Sequence, residues 1–224
     1  RYKSGGRSSM PFTIRAVVGK GWGQGPQHTK SLQSWFAHVP GLRVAMPSTP
    51  FDAKGLLISS IFGEDPTIII EGRPVFSMRE HVPEKMYRIP FGKALVRRQG
   101  TDITLAALGF LVPTALQAAE RLREEGVDAE VLDLRTVAPL DEEAILESVA
   151  KTGRLVIIDP GWKSFGASAE ISARVAEKAL KSLKAPIARV AFPDTHSPTT
   201  VALESQFYPD EQTIRSAAKS LVKQ

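Results

Sequence analysis

The chain has 224 residues, enough for one large domain or two small ones with a substantial core. Hydrophobic residues make up 42% and charged residues 24%, and the 17 glycines and 16 prolines are near average usage, which excludes extended disorder and low-complexity architecture. The absence of cysteine excludes a disulfide framework, a thiolate nucleophile, an iron–sulfur cluster and a cysteine-type zinc site.

Charge and hydropathy argue against two classes of partner. Lys and Arg number 29 against 24 acidic residues, giving a net charge of +5, but they are scattered, which favours a solvated basic surface over nucleic-acid binding. No apolar stretch approaches the roughly 20 residues of a membrane span, and the start of the chain lacks the apolar core of a signal peptide. We therefore expect neither nucleic-acid nor membrane partners, and a location in the cytoplasm, or in the mitochondrial matrix if the source is eukaryotic.

The first part of the chain alternates predicted strands with predicted helices. A helix is predicted to begin at about Thr29, to carry apolar residues at helical spacing from Leu32 to Val39, and to end at Pro40. Segments rich in Val and Ile and bounded by Gly or Pro predict buried strands at residues 12–18, 42–46 and 67–71.

The helix between the second and third strands has the clearest start signal. Thr49 is predicted to cap it, Pro50 fits the first helical position, and Asp52 completes a Thr-x-x-Asp capping box. Gly63 is a plausible end. The predicted order of this half is βαβαβ.

Residues 77–92 carry two prolines and break any periodicity, which predicts a linker. Beyond it the alternation resumes, and such alternation predicts an α/β fold of mostly parallel sheets covered on both faces by helices. The predicted strands are residues 103–108, 129–134, 155–158 and 187–191, and the predicted helices are residues 113–125, 168–184, a helix from Asp141 to Gly153 and one from Asp210.

A glycine-rich stretch follows the first predicted strand. Glycine occupies every second position from Gly19 to Gly25, as a backbone that approaches a phosphate closely could require. The spacing matches neither G-x-G-x-x-G nor G-x-x-x-x-G-K-[ST]. A phosphate cradle and a flexible surface loop both remain open.

His28 is the strongest candidate for a catalytic or ligand-binding residue. It precedes the predicted Thr29 cap, where the positive end of a helix would favour a neutral imidazole and an anionic ligand nearby. An imidazole there could bind a substrate carboxylate or exchange a proton near neutrality. A purely structural histidine fits the spacing equally well.

The other polar candidates have structural explanations. His38 lies near the predicted end of its helix, where C-terminal capping is preferred, and the remaining two histidines fall in loops. The four histidines show no zinc-ligand spacing. Asp159, Glu170 and Asp194 fall near predicted strand or helix ends, where capping is the default role.

Residues 27–44 (QHTKSLQSWFAHVPGLRV) and 47–57 (PSTPFDAKGLL) closely resemble the β subunit of 2-oxo acid dehydrogenase E1 components. Shorter matches continue the resemblance at residues 92–94, 100–102, 133–136, 139–141 and 166–171. The resemblance implies part of a transketolase-like pyrimidine-binding domain at residues 1–80, a linker at 81–92 and a transketolase C-terminal-like domain at 93–224.

This resemblance implies thiamine diphosphate held between the β subunit and an α subunit, in an α2β2 assembly on a lipoyl acyltransferase (E2) core. His28 matches the family's active-site histidine, which holds the substrate carboxylate and assists acylation of the lipoyl group. The family's glutamate that activates the cofactor lies upstream of Arg1, so no cofactor-binding residue is assigned here. The diphosphate and its Mg2+ belong to the α subunit, and the isolated chain is expected to be inactive.

The resemblance also implies a monovalent-cation site, with K+ as its possible occupant. Such a site uses mostly backbone oxygens around the first strand and the end of the helix before the third strand. Its residues in this chain are Phe12, Ser60, Ile61, Gly63 and Asp65.

Other functions remain open. A split transketolase or deoxyxylulose-phosphate synthase half shares the same domains but acts on sugar phosphates. A non-catalytic assembly module would bind a partner without needing a cofactor. A dinucleotide-binding protein comes last because the glycine spacing is wrong. The sequence does not distinguish pyruvate, a branched-chain 2-oxo acid and an acetoin-type substrate.

Overall fold

The structure, a computed structural model, describes residues 2–20 and 23–223. Within these residues no helix is long and apolar enough to cross a membrane. The strands of the described chain are Thr13–Val18 (β1), Arg43–Ala45 (β2), Thr67–Gly72 (β3), Leu95–Arg98 (β4), Ile103–Ala107 (β5), Ala129–Asp133 (β6), Thr136–Ala138 (β7), Leu155–Trp162 (β8) and Ala188–Phe192 (β9). Its α-helices are Gly25–His28 (α1), Gln33–Ala37 (α2), Pro50–Ile61 (α3), Val112–Glu124 (α4), Glu142–Thr152 (α5), Ala167–Ala179 (α6), Val201–Phe207 (α7) and Glu211–Val222 (α8).

The strands form two sheets. The first has the order β1-β3-β2-β7 and the second β4-β6-β5-β8-β9. All pairings are parallel except β7 on β2 and β4 on β6. The predicted α/β class with two sheets is confirmed, with one antiparallel strand in each sheet. Sequence patterns missed α1, β4, β7 and α7. The predicted burial of the first strand is wrong, because β1 lies at the edge of its sheet and leaves Ile14 and Val17 exposed.

The two sheets share one apolar core. Val44 of β2 and Met46, which follows β2, belong to the same buried cluster as Phe110 and Leu134 from the second half of the chain. Strand β7 also crosses between the halves, because it follows β6 in sequence but pairs with β2 of the first sheet. The two halves therefore fold against each other over a continuous interior.

The predicted linker is packed against the first half. The Ser59 hydroxyl donates to the Ile89 carbonyl at 2.7 Å, and the Ile89 amide donates to the Gly55 carbonyl at 3.3 Å. A Cβ on Gly55 would lie 2.6 Å from the Ile89 side chain, so only glycine fits at this crossing. With Leu56 and Ile69, Ile89 forms a second, smaller core beneath α3. The domain limits at residues 80 and 93 stay a prediction.

Local capping signals place several helices. The Asp141 side chain caps α5, and Gly153 ends it in the left-handed conformation (φ 75°). The Asp210 carboxylate accepts the Thr213 amide hydrogen at 2.8 Å and starts α8. Thr49 caps α3 through the Asp52 amide at 3.1 Å, with Pro50 at the first helical position, as predicted.

Asp52 departs from its predicted use. In a capping box its carboxylate would return to the backbone N–H of Thr49. Instead it is fully buried, accepts the Thr49 hydroxyl and pairs with Arg97 and Arg135. The capping-box pattern found the helix start and misjudged the carboxylate, because its ionic partners lie far along the chain.

Asp52 belongs to a buried group of charges that we call the ionic cluster: Asp52, Asp133, Arg97 and Arg135, with the Ser48 hydroxyl. Arg135 lies 2.7 Å from Asp52, and Arg97 Nε donates to Asp133 at 3.0 Å. Both carboxylates are 0% exposed, and the Ser48 hydroxyl donates to Asp133 at 2.5 Å. Burial lowers the pKa of Arg135, and the charge of Asp133 opposes that shift. The cluster joins helix α3 of the first half to β4 and β6 of the second.

We predict that Arg97→Met destabilises the protein by about 3 kcal/mol or more, because it leaves two buried carboxylates with one cation. Urea unfolding at neutral pH measures the change. Arg121→Met is the matched control, since Arg121 is exposed and its ion pair within the described residues is with Glu124 on its own helix. The control is expected to change the free energy of unfolding far less, because the charge of Arg121 is solvated in both the folded and the unfolded state. Equal losses for the two variants would show that the cluster does not hold the halves together.

Candidate active site

His28 is the last residue of the one-turn helix α1 and is exposed. The predicted helix start at Thr29 is wrong, because Gly25 (φ 52°) and Pro26 begin a turn upstream and the next helix begins only at Gln33. The Thr29 hydroxyl donates back to the Gly25 carbonyl instead of capping a following helix. The positive helix end that was expected to act on His28 is therefore absent from this position.

The backbone around His28 is held by groups from both halves of the chain. Arg73 Nη1 donates to the carbonyl of Gly19 and to the carbonyl of His28, each at 3.0 Å. On the other side, a Cβ on Gly25 would lie 2.4 Å from the Thr199 side chain. Helix α1, which ends at His28, therefore lies between the carboxyl end of the first sheet, where Arg73 is, and the segment with Thr199 that precedes helix α7.

The glycines of this stretch have structural uses. Gly19, Gly23 and Gly25 all have positive φ, and Gly19 lies against the ring of Phe110. These contacts account for glycine at the three described positions without a bound phosphate. Gly21 and Trp22 of the same stretch lie outside the described residues.

Tyr208, from the second half of the chain, contacts the residue that follows His28. Its buried hydroxyl lies 3.4 Å from the Ser197 hydroxyl and also interacts with the Thr29 side chain. Burial raises the pKa of Tyr208, while the hydrogen bonds and the charge of Arg73 oppose the shift. The phenol therefore remains a neutral hydrogen-bonding group across the physiological range.

A cavity of about 1090 Å3 opens beside α2, between the two halves. Trp35 and His38 line it from α2, and Gly161, Phe165 and Glu170 line it from the second half. His38 is the C-terminal cap of α2, as predicted. Trp35 is 67% exposed, whereas Phe36 packs against the main core, so α2 is a short helix with one side on the core and the other at the rim of the cavity.

Asp159 supports the floor of this cavity. It is fully buried and accepts Gln33 Nε2 at 2.9 Å and the Ser168 amide at 2.8 Å. Burial raises its pKa, and these hydrogen bonds oppose the rise. The carboxylate caps α6 from a distance, which fits the predicted structural role.

The other predicted structural groups also have protein partners. Asp194 accepts the Ser164 amide at 3.1 Å, and Glu170 pairs with Arg174. His81 and His196 lie in loops. The described residues contain no group of three or more His, Asp or Glu side chains that could hold a metal ion.

The residues of the expected cation site lie around the start of β1 and β3 and the end of α3. The Phe12 carbonyl accepts the Thr67 amide at 3.0 Å, and the Ser60 carbonyl accepts the Gly63 amide at 3.1 Å. The Asp65 carboxylate pairs with Arg43 at 2.6 Å. The Asp65 carboxylate therefore already has a cationic partner, whereas a backbone carbonyl that accepts one hydrogen bond keeps a second lone pair that could bind a cation. The site, with Ile61, stays a prediction.

Sequence reasoning missed Arg73, Thr199 and Tyr208. One signal for Arg73 was present, because it directly follows the buried strand β3 (Thr67–Gly72), and carboxyl ends of neighbouring parallel strands meet at one edge of a sheet. The other two lie more than 170 positions beyond His28 in a segment without periodic pattern. Fold and site together define a two-unit α/β protein whose candidate histidine lies where the units meet.

Comparisons with known proteins identify the family. Models described as "Transketolase, pyrimidine binding domain" and "Transketolase, C-terminal domain" match residues 1–77 and 92–214. The chain is 43% identical over 223 residues to the acetoin:2,6-dichlorophenolindophenol oxidoreductase subunit beta of Cupriavidus necator, covering 100% of this chain and 66% of the relative. It is 43% identical over 224 residues to the pyruvate dehydrogenase E1 component subunit beta of Bacillus subtilis, covering 100% of this chain and 69% of the relative.

A solved structure shows the same fold. A split-gene transketolase, described as an inactive beta4 tetramer, matches with a TM-score of 0.80 at 23% identity, over 96% of this chain and 67% of that one. The chain belongs to the transketolase-like family that includes the β subunits of pyruvate dehydrogenase E1. It spans about two thirds of the length of the curated relatives described above.

We predict that Asp159 makes stability fall as pH rises. Because burial raises its pKa in the folded state, the folded protein keeps this proton to higher pH than the unfolded chain does. The stabilisation is full below the unfolded carboxyl pKa of about 3.9 and is lost as pH rises from there through the native pKa. The unfolding free energy of wild type minus that of Asp159→Asn should therefore fall from about pH 4 towards neutrality.

Asp194→Asn provides a control of opposite sign. The pKa of Asp194 is lowered by its hydrogen bonds from Ser164, so its stabilisation is present above the unfolded pKa and is lost as pH falls. Urea unfolding across the same pH series measures both differences. A wild-type advantage over Asp159→Asn that grows with pH would contradict the prediction.

Proposed function

We propose that this chain forms part of the β subunit of a thiamine diphosphate-dependent 2-oxo acid dehydrogenase E1. The reaction is the oxidative decarboxylation of a 2-oxo acid with acyl transfer to lipoyl groups. The observation that supports it most is whole-chain similarity, at 43% identity, to a named pyruvate dehydrogenase E1 β subunit. The two transketolase domain models, matched in order along the chain, support the same family chemistry.

The proposed function requires partners. An α subunit would complete an α2β2 assembly and hold the cofactor diphosphate with Mg2+, and a lipoyl acyltransferase core would accept the acyl group. Two buried atoms flanking His28, Gln24 Oε1 and Ser31 Oγ, have no hydrogen-bond partner in the described protein. Such atoms fit a site that is completed by a polar ligand or a partner subunit.

Thiamine diphosphate supplies the carbanion chemistry when it is bound. The contribution of this chain is the exposed imidazole of His28, in a segment whose backbone contacts Arg73 at the His28 carbonyl and Thr199 at Gly25. An imidazole N–H donates a hydrogen bond to the substrate carboxylate, and the same ring can deliver a proton to the lipoyl sulfur during acylation. Fixing the His28 backbone limits the directions from which the ring can approach the substrate.

We predict that His28→Ala lowers turnover by about 100-fold or more, the range for loss of a positioned acid–base group. The assay combines the longest natural form of the chain with an α subunit, thiamine diphosphate, Mg2+ and candidate 2-oxo acids. It measures two rates: the reduction of an artificial electron acceptor and the acylation of lipoyl groups. His81→Ala is the control, because His81 is an exposed loop histidine. Unchanged turnover in a folded, assembled His28→Ala enzyme would refute the catalytic role.

The same assembly separates the alternative functions. Turnover of sugar phosphates but not of 2-oxo acids would identify a split transketolase-type enzyme. The solved split-gene transketolase has the same fold as this chain, so the fold alone does not separate the two functions. Tight binding to a partner without cofactor-dependent turnover would identify an assembly module. Acceptance of pyruvate, branched-chain 2-oxo acids or acetoin would define the substrate.

A further inference from the structure

Arg73 joins the start of the glycine-rich stretch, at Gly19, to the end of helix α1, at His28. It follows the carboxyl end of β3, and its Nη1 donates to the Gly19 carbonyl and to the His28 carbonyl, each at 3.0 Å. Gly19 directly follows β1, the parallel neighbour of β3. One nitrogen with two hydrogens therefore fixes the entry and the exit of the segment that carries His28.

The surroundings of Arg73 are rigid. The ring of Phe110 contacts Gly19, and a Cβ on Gly72 would lie 2.5 Å from the Phe110 side chain. Tyr208 packs edge-on against Phe110, with ring centroids 6.3 Å apart. The guanidinium of Arg73 also acts electrostatically on the Tyr208 hydroxyl. The backbone at Gly72, directly before Arg73, thus has little room to move against the packed rings of Phe110 and Tyr208.

His28 itself lacks comparable local support. Helix α1 is one turn long and has no side-chain cap at its start. Its own backbone therefore holds the direction of the imidazole weakly. Contacts from outside the turn can supply this control. Among the described residues, Arg73 makes such a contact, because its side chain donates a hydrogen bond to the His28 backbone carbonyl from a different element of the fold.

We propose that Arg73 is a positioning residue for His28, which sets the direction of the imidazole through the His28 carbonyl. The expected effect of Arg73 on turnover rests on the proposed function, but its effect on the His28 side chain can be measured without the assembled enzyme. A guanidinium suits the task because it is always charged and holds several donors in a fixed plane. Lysine keeps the charge and the donors but loses that planar geometry.

The first experiment records the imidazole resonances of the histidines by NMR in the longest natural form of the chain, without partner subunits, and His28→Gln assigns the His28 signal. Arg73→Met is expected to displace and broaden the His28 signal while that of His38 stays in place, and Arg73→Lys should restore part of the change. Arg79→Met is the control, because Arg79 is exposed and lies six residues further along. A folded Arg73→Met chain with an unchanged His28 signal would overturn the inference.

If Arg73→Met does not fold, Arg73→Gln replaces it, because glutamine keeps a polar side chain but lacks the charge and the length of the guanidinium side chain. A displaced His28 signal in that folded variant supports the positioning role, and an unchanged signal overturns it.

The second experiment is a double-mutant cycle in the assembled enzyme. Arg73→Met is expected to lower kcat by about 10- to 100-fold, the scale for a reacting group misplaced by about 1 Å, with a smaller effect on KM. In the His28→Ala background it should cost little more, because both changes remove one function. An active His28→Ala enzyme would refute the proposed catalytic role, whereas an inactive His28→Ala enzyme beside a normal Arg73→Met enzyme would refute only the positioning role.

Discussion

The arrangement of the two halves depends on charges that cannot be buried separately. The ionic cluster places Asp52 from helix α3 against Arg97 and Arg135 from the second half, and Asp133 completes a set with no net charge. Removing each ion from water costs several kcal/mol, and the cost is offset only when the partners meet in good geometry. A displacement of one half against the other would leave a buried carboxylate without its cation. The cluster therefore favours one docking geometry over compact alternatives.

This docking extends to the backbone. Arg135 has a positive φ of 58°, and its carbonyl accepts the Met46 amide hydrogen at 2.8 Å, immediately before β7 pairs with β2. The chain thus leaves the second sheet at β6 and enters the first through a residue that also belongs to the cluster. Contacts around His28 follow the same division, since Gly19 and Arg73 belong to the first half and Thr199 and Tyr208 to the second. The site depends on both halves being docked.

Local sequence signals predicted the elements whose causes are local. Asp141, Gly153 and Asp210 begin or end helices through contacts within four positions. Of the three Val- and Ile-rich strands predicted to be buried in the first half, β2 and β3 are buried, whereas β1 lies at the sheet edge and leaves Ile14 and Val17 exposed. Strands β4 and β7 escaped prediction because each is four residues or fewer and owes its conformation to pairing with a distant strand. Asp52 was assigned to a cap for the same reason, because Arg97 and Arg135 are remote in sequence.

The prediction about His28 separates two kinds of inference. The family resemblance selected the residue, whereas the helix argument misplaced its electrostatic surroundings, because Gly25 and Pro26 start a turn that the spacing of apolar residues does not reveal. The position of Arg73 next to Gly19 could have been predicted from the order of the strands. In a parallel pair, the residues after β1 and after β3 emerge at the same edge, so Gly19 and Arg73 are neighbours by construction. A long cation at that edge can reach both the start of the glycine-rich stretch and the end of helix α1. A short, weakly supported turn can in this way hold a reactive side chain in a defined direction.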